Sequence, residues 1–238
     1  MSPLSLYQIV HTLDGEIFHL EEHLKILFES YFELFNRSAR EPLAEAKERI
    51  ESLLRRSRCP RGVSLFVRLT LLDDATLLIE EHERSLYQGY TMRCISPRAA
   101  LIEYNFPRLS LPTLLRESAT ICANEEARKK SQCEVALRLH NGEVDLINGA
   151  QIFALYGNEL ITARKSLSVE HRFAKECATN LSLQIVERDI RAEELTLFDE
   201  LFFVDHYGVT PIKMCCGRYY MSLTASAIAD ELKHGERR

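Results

Sequence analysis

The feature that most constrains the fold of this chain is an apolar segment with tight turns between Gly142 and Thr162. Asn141-Gly142 is a typical two-residue hairpin turn between apolar runs. The run Gln151–Tyr156 that follows predicts a buried strand. Gly157-Asn158 then turns the chain into a further short strand at residues 159–162. The segment therefore predicts consecutive strands in the C-terminal half of the chain.

Composition excludes several classes of protein. With 238 residues, 46% of them hydrophobic, the chain can bury one large core or two modest ones. The formal net charge of −5 gives no basic surface for nucleic acid, so no nucleic-acid partner is expected. No apolar run approaches the roughly 18 residues of a membrane span, and the N-terminus does not resemble a signal peptide. We therefore expect no membrane partner.

The cysteines favour a reducing compartment. There are seven, an odd number without paired spacing, and this pattern favours a cytoplasmic location. Cys215 and Cys216 are adjacent in a strand-like run, and we expect them to be a buried structural pair on opposite faces of a strand. None of the histidines, cysteines and carboxylates has the spacing of a metal site, so no metal is expected.

The first 83 residues predict a small α+β domain. A strand at Leu6–Leu13 turns at Asp14-Gly15 and precedes a helix at Leu20–Phe35 with apolar residues at helical spacing. Pro42, at the first helical position, begins a second helix. Strands at residues 63–72 and 76–81 complete the domain, and residues 84–89 are expected to be a linker.

Residues 90–238 predict a second, larger domain. A strand is expected at Tyr90–Ser96, and an irregular segment marked by Pro107 and Pro112 then precedes a helix at residues 113–130. After the central hairpin, Ser168 is expected to cap the N-terminus of another helix.

Three segments of the sequence resemble the class IV aminotransferases, the fold-type IV pyridoxal-phosphate (PLP) enzymes. They are LYQIVHTLDGEIFHLEEHLKILFES at residues 6–30, NGEVDLINGAQIF at residues 141–153, and LQIVERDIRAEELTLFDELFFVDHYGVTPI at residues 183–212. This family includes branched-chain and D-amino-acid aminotransferases and aminodeoxychorismate lyase. The resemblance implies an α/β (α+β) fold of two domains like D-amino-acid aminotransferase, with a β-barrel-like C-terminal domain, and it implies a homodimer.

The same resemblance implies that the positions which normally hold PLP have changed. The Schiff-base lysine is expected at the position of Thr113, and no lysine occurs between residues 92 and 128. The remaining cofactor positions are a glutamate that faces the pyridine nitrogen, a phosphate-binding arginine, a Gly-Ile-Thr helix turn and a threonine. They correspond in this chain to Leu146, Ile26, the turn that contains Glu170 and His171, and Asp205.

These substitutions predict that the chain does not bind PLP. A phosphate would face the carboxylates of Glu170 and Asp205 without an arginine to offset them. No catalytic residue and no cofactor are therefore expected, although PLP would be the cofactor if the alignment is wrong around the site. Lys165 and Lys213 lie on other elements, and neither is expected to approach Thr113.

Four further residues are candidates to line the cleft that serves as the active site in the resembled family. They are Tyr7, Arg172, His206 and Tyr207. Each also has an ordinary structural interpretation. Tyr7 is as well suited to core packing, Arg172 to an ion pair with Glu176 four residues on, and His206 and Tyr207 to a solvated loop. His23 and His171 are expected to be surface helix residues or to support the site from outside.

Three hypotheses for function follow. The first is a non-catalytic class IV aminotransferase-like protein, a pseudoenzyme that retains the scaffold for binding or regulation, with a possible small-molecule ligand in the old cleft. The second is an active PLP-dependent amino-acid aminotransferase or aminodeoxychorismate lyase. The third is an enzyme that uses the cleft without PLP, through Asp205, His206 and Tyr207. The missing lysine favours the first.

Overall fold

The computed structural model describes residues 5–86, 90–105 and 111–235. The chain forms two compact units, one of residues 1–89 with 108–116 and one of residues 90–107 with 117–238. The α/β class predicted from the sequence is confirmed, since helices and large sheets are both present. Within the described ranges, no helix is long and apolar enough to cross a membrane.

The first unit contains a four-stranded antiparallel sheet with the strand order β2-β1-β3-β4. Two helices pack against it, and their apolar faces enclose a core with Leu27, Tyr31 and Ile50 at its centre. The elements are β1 (Leu6–Leu13), β2 (Glu16–Ile17), α1 (Leu20–Phe35), α2 (Leu43–Ser57), β3 (Ser64–Leu71) and β4 (Leu77–Ser85).

Helix α1 has the predicted bounds, because its apolar residues repeat at helical spacing over its whole length. Pro42 differs from the prediction by one position: it is the N-cap residue of α2, with an extended backbone (φ −59°, ψ 132°). Strand β4 continues to Ser85, which pairs with Ser64, so the first two residues of the predicted linker are strand. Residues 87–89 of that linker lie outside the described residues.

The second unit is built on a large mixed sheet whose main path runs β10-β9-β8-β7-β6-β5-β14-β15. Three more strands branch from this path, β11 beside β7 and the hairpin β12–β13 beside β8. The strands are β5 (Arg98–Glu103), β6 (Val135–His140), β7 (Glu143–Ile147), β8 (Ala150–Tyr156), β9 (Glu159–Thr162), β10 (Gln184–Glu187), β11 (Ile190–Arg191), β12 (Glu200–Asp205), β13 (Gly208–Pro211), β14 (Met214–Cys215) and β15 (Arg218–Tyr219).

Helices cover one face of this sheet. They are α3 (Leu114–Ser131), α4 (Val169–Asn180) and α5 (Leu223–Gly235), and a 3₁₀ helix lies at Ala192–Thr196. Residues of β8 alternate between two cores: Ile152 and Ala154 belong to one apolar cluster, whereas Phe153 and Leu155 pack with α4 and α5. The central strands predicted from the hairpin signals are confirmed.

The strand predicted at Tyr90–Ser96 is wrong. That segment makes one isolated bridge, from Met92 to Val209. The strand of this region is β5, in the segment expected to be irregular; it pairs in parallel with β6 and β14. Because β5 is covered on both faces, its residues lack the alternation that marks a strand in sequence.

The interpretation of Cys215 and Cys216 as a buried pair is only half correct. Cys215 is buried, but Cys216 is exposed and lies in the turn after β14. All seven cysteines are free thiols, and no metal-binding group of three or more ligands occurs among the residues that the structure describes.

Candidate functional site

The start of helix α4 is the centre of the candidate site in the second unit. Ser168 has an extended backbone there, and its hydroxyl accepts a hydrogen bond from the backbone N–H of His171 at 3.1 Å. This confirms Ser168 as the predicted N-cap residue. The cap fixes the first turn of the helix, so that the side chains of Glu170 and His171 point back toward the sheet and are buried there.

His171 is held on both ring nitrogens. The hydroxyl of Thr162 donates to the carbonyl of Ile152 at 2.7 Å, so it must accept from Nε2–H of His171, also at 2.7 Å. The ring is therefore the neutral Nε2–H tautomer, and the Ser166 hydroxyl donates to Nδ1 at 2.8 Å. Phe153 of β8 stacks on the imidazole with ring centroids 4.7 Å apart.

His171 is fully buried. Of the two positions expected for it, at the surface or supporting the site from outside, the surface position is therefore wrong. Burial, together with the nearby charge of Lys175, lowers its pKa to about 3. A histidine that stays neutral across the physiological range and has both nitrogens bonded supports the structure rather than exchanging protons. It joins the first turn of α4 to strands β8 and β9.

Glu170 is a buried carboxylic acid in the first turn of α4. Burial, and to a smaller extent the charge of Asp205, raise its pKa to about 7. Hydrogen bonds from its own backbone N–H and from the Ser168 hydroxyl act in the opposite direction and lower the pKa. The carboxyl group therefore lies against the helix N-terminus, where free N–H groups normally attract an anion.

Asp205 ends β12 and begins the turn to β13. Its Oδ1 accepts from the backbone N–H of Tyr207 at 2.9 Å. Burial of the carboxyl raises its pKa to about 6, against the charge of Arg93, which lowers it. The guanidinium of Arg93 lies over the ring of Tyr207, 4.8 Å from its centroid, and His206 contacts the same ring with centroids 4.1 Å apart.

The loop of His206 and Tyr207 is therefore half-buried and ordered by side-chain contacts, which corrects the expectation of a solvated loop. Arg93 is the residue of this cluster that the sequence analysis missed, because it lies in a segment without a motif.

The ion pair predicted between Arg172 and Glu176 is present, with Nε and Oε1 3.9 Å apart.

Leu146 lies at a β-bulge. Leu137 pairs with Ile147 and Leu139 with Val144, so two residues of β7, Asp145 and Leu146, stand opposite Arg138 alone. The guanidinium of Arg138 binds both oxygens of the Asp145 carboxylate. Leu146 is buried beside Gln151, with which it pairs.

Gln151 connects this part of the sheet to α4. Its amide nitrogen donates to the carbonyl of Lys165 at 2.6 Å, and its amide oxygen accepts from the backbone N–H of Leu167 at 2.6 Å. These bonds fix the loop before the N-cap. The sequence analysis placed Gln151 in a buried strand and did not identify it as a site residue.

The other predicted positions lie in the first unit. Thr113 is 2% exposed, and its hydroxyl accepts from the backbone N–H of Arg116 at 3.2 Å, as an N-cap of α3.

Ile26 is a half-buried residue of α1. Tyr7 is also half-buried, with the guanidinium of Arg68 4.3 Å from its ring centroid. His23 is buried rather than at the surface, and its Nδ1 donates to Oε1 of Gln8 at 2.9 Å.

The family of the chain follows from a sequence comparison. A family model described as amino-transferase class IV matches residues 5–215. The chain belongs to the class IV aminotransferases. No curated protein matches its sequence significantly.

Solved structures of several aminotransferases have the same fold. A branched-chain aminotransferase from Thermoproteus uzoniensis, solved with norvaline, matches with a TM-score of 0.80 and 19% identity over 98% of this chain and 85% of that chain. A fold IV transaminase from Curtobacterium pusillum matches with a TM-score of 0.78 and 17% identity over 98% and 86%. An aminotransferase from Brucella abortus bound to PLP matches with a TM-score of 0.78 and 14% identity over 98% and 89%.

Proposed function

We propose that this chain is a non-catalytic class IV aminotransferase, a pseudoenzyme that does not bind PLP and uses the fold to bind a small molecule or to regulate. The observation that carries this proposal is the buried carboxyl of Glu170 in the first turn of α4. That turn is the place where the family resemblance puts the cofactor phosphate, and here a side chain of the protein lies against it.

Electrostatics support the exclusion of a phosphate. Two like charges about 4 Å apart repel by about 4 kcal/mol at the effective dielectric of a protein surface. Glu170 and Asp205 are close enough for one charge to raise the pKa of the other. A phosphate at the start of α4 would add to this repulsion, and the guanidinium of Arg93, which lies near Asp205, would offset part of it.

The other predicted positions point in the same direction. PLP chemistry needs a lysine amine for covalent attachment, and the position assigned to it is Thr113, whose hydroxyl caps α3. The position assigned to the acid that faces the pyridine nitrogen is Leu146, which offers no charge. The preceding residue, Asp145, carries a carboxylate, but Arg138 binds it. The residues present therefore do not fit PLP.

Location and assembly are part of the same proposal. Seven free thiols support a reducing cytoplasm as the compartment. We expect a homodimer, as the family resemblance implies, and sedimentation velocity would test this directly. A monomer at micromolar concentration would contradict it.

The proposal is tested by incubating the purified protein with PLP, reducing it with borohydride and mapping modified lysines by mass spectrometry. We expect no visible absorbance band of lysine-bound PLP, and only scattered substoichiometric labelling of exposed lysines. One lysine trapped stoichiometrically, with such a band, would contradict the proposal and support an active aminotransferase. The variants Lys165→Arg and Lys213→Arg would then identify the amine.

A second experiment tests whether the buried carboxyl of Glu170 keeps anions away from the start of α4. Glu170→Ala removes the buried carboxyl, and Glu176→Ala removes an exposed carboxyl from the same helix. Phosphate stabilises folded proteins without binding to them, so the comparison between variants is decisive. If Glu170 excludes anions from the helix N-terminus, inorganic phosphate should raise the melting temperature of Glu170→Ala more than that of Glu176→Ala or the wild-type protein. An equal rise in all three would contradict the proposal.

A further inference from the structure

Two adjacent cysteines form an unusual pair at the tip of the hairpin β14–β15. The turn that joins the strands is Cys216-Gly217, and both residues have positive φ, 50° and 76°, as a type I′ turn requires. This turn brings the thiol of Cys216 back toward that of Cys215. The two Sγ atoms are 3.8 Å apart.

The two thiols differ in environment. Cys215 is fully buried, and its backbone pairs with Ala99 of β5 on one side and Arg218 of β15 on the other. Cys216 is exposed. Burial raises the pKa of the Cys215 thiol well above its usual range, so that this sulfur stays in the thiol form and resists oxidation.

A disulfide is a poor product for such a pair. Consecutive Cα atoms lie about 3.8 Å apart across a trans peptide, whereas disulfide-bonded residues usually have Cα atoms about 4.4 to 6.8 Å apart. A single atom that binds both sulfurs relieves this restriction, because no direct S–S bond has to form. The two Sγ atoms are 3.8 Å apart, so a small shift of the side chains can place both sulfurs on one such atom.

We propose that Cys215 and Cys216 form a dithiol site that chelates a thiophilic trivalent centre, namely a monosubstituted arsenic(III) compound. Such a compound has two exchangeable positions, so it needs two thiols and no third ligand. The site offers two thiols, the number that such a compound needs. No group of three or more metal-binding side chains is present within the described ranges.

The reaction is a balanced exchange without oxidation. The exposed thiol of Cys216 displaces one hydroxide from R–As(OH)₂; its proton leaves with that hydroxide as water, and an As–S bond forms. The thiol of Cys215 then displaces the second hydroxide, again as water, and closes the ring. Arsenic stays trivalent throughout. The second step is intramolecular, so the close sulfur makes the product more stable than any monothiol adduct.

Phenylarsine oxide is the probe for this site. The full-length protein is treated with it, washed with excess monothiol, and examined by intact-protein mass spectrometry. Monothiol adducts at the exposed Cys94 and Cys122 should be removed by the wash. One arsenical should remain on the protein, and a small-molecule dithiol should then release it.

The variant Cys216→Asn is the sharpest test, because Asn-Gly suits a type I′ turn and the hairpin should fold at least as well. It should lose the wash-resistant adduct, and so should Cys215→Ala. Cys94→Ser, Cys122→Ser and Cys133→Ser should all retain it. A wash-resistant adduct in Cys216→Asn, or no such adduct on the wild-type protein, would overturn the proposal.

Discussion

The starts of helices α3 and α4 are both capped by a hydroxyl, but they are anchored in different ways. At α3, Thr113 caps the helix, and backbone bonds hold the segment: the N–H of Leu114 donates to Ser5 at 3.1 Å, and the N–H of Tyr7 donates to Pro112 at 2.8 Å. At α4, Ser168 caps the helix, and side chains hold it, with His171 bonded to Thr162 and Ser166.

This difference explains how much each helix start depends on its sequence. Backbone bonds do not depend on side-chain identity, so the α3 start can keep its position with a threonine where the family resemblance has a lysine. The α4 start depends on a particular set of side chains, whose donors and acceptors match one another. Substitutions there should therefore cost more stability, and the following predictions test this comparison.

The largest effect is expected for His171→Ala. The variant leaves a cavity against Phe153 and removes a partner of the buried Thr162 hydroxyl and of the half-buried Ser166 hydroxyl, so the free energy of unfolding should fall by about 3 kcal/mol. Urea unfolding monitored by circular dichroism measures this. His140→Ala, at the partly exposed end of β6, is the control and should change stability by less than about 1 kcal/mol. Equal effects in both variants would show that the histidine does not anchor α4.

A smaller effect, dependent on pH, is expected for Glu170→Gln. The pKa of Glu170 in the folded protein is about 7, above its ordinary value of 4.5, so its contribution to stability is fully present below pH 4.5 and is lost as the pH rises through 7. The wild-type protein should lose on the order of 2 kcal/mol from this group between pH 5 and pH 8. The free energy of unfolding of Glu170→Gln should fall less over that range. It should still fall somewhat, because Asp205, with a pKa of about 6, also destabilises the folded protein as the pH rises.

The matched control for this prediction is Glu176→Gln, which removes the same charge from an exposed position on α4. Its pH dependence should equal that of the wild-type protein. If Glu170→Gln and the wild-type protein lose stability in parallel above pH 6, the carboxyl of Glu170 is ionised in the folded protein without cost, and it would not act as a buried acid.

Local features of the sequence predicted the helix starts and turns well. Ser168 was identified as a cap because the hydroxyl and the N–H that it accepts from are three residues apart. The bounds of α1 and the hairpin at Asn141-Gly142 also depend on neighbouring residues alone. Strand β5 was missed because its partners, β6 and β14, are distant in sequence and both of its faces are buried.

The candidate site was predicted in its residues but not in their environments. Glu170, His171 and Asp205 were identified from the family resemblance, but the sequence left open whether His171 lies at the surface or supports the site from outside. Its burial depends on Thr162, Ser166 and Phe153, which the helix pattern does not reveal. Arg93, beside Asp205 and Tyr207, had no sequence signal because an isolated arginine has no characteristic spacing.

The smallest and most direct test compares the two caps by Thr113→Ala and Ser168→Ala. Each removes one hydroxyl that accepts one backbone N–H, so each should cost about 1 kcal/mol if the caps act alone. Ser168 also donates to the Glu170 carboxyl; its removal should therefore cost more than removal of Thr113, and the difference should grow above pH 7, where that carboxyl is ionised. Urea unfolding of both variants at pH 5 and pH 8 measures the difference. If the two losses are equal at both pH values, the Ser168 hydroxyl does not support the buried acid, and the side-chain anchoring of α4 would rest on His171 and Gln151 alone.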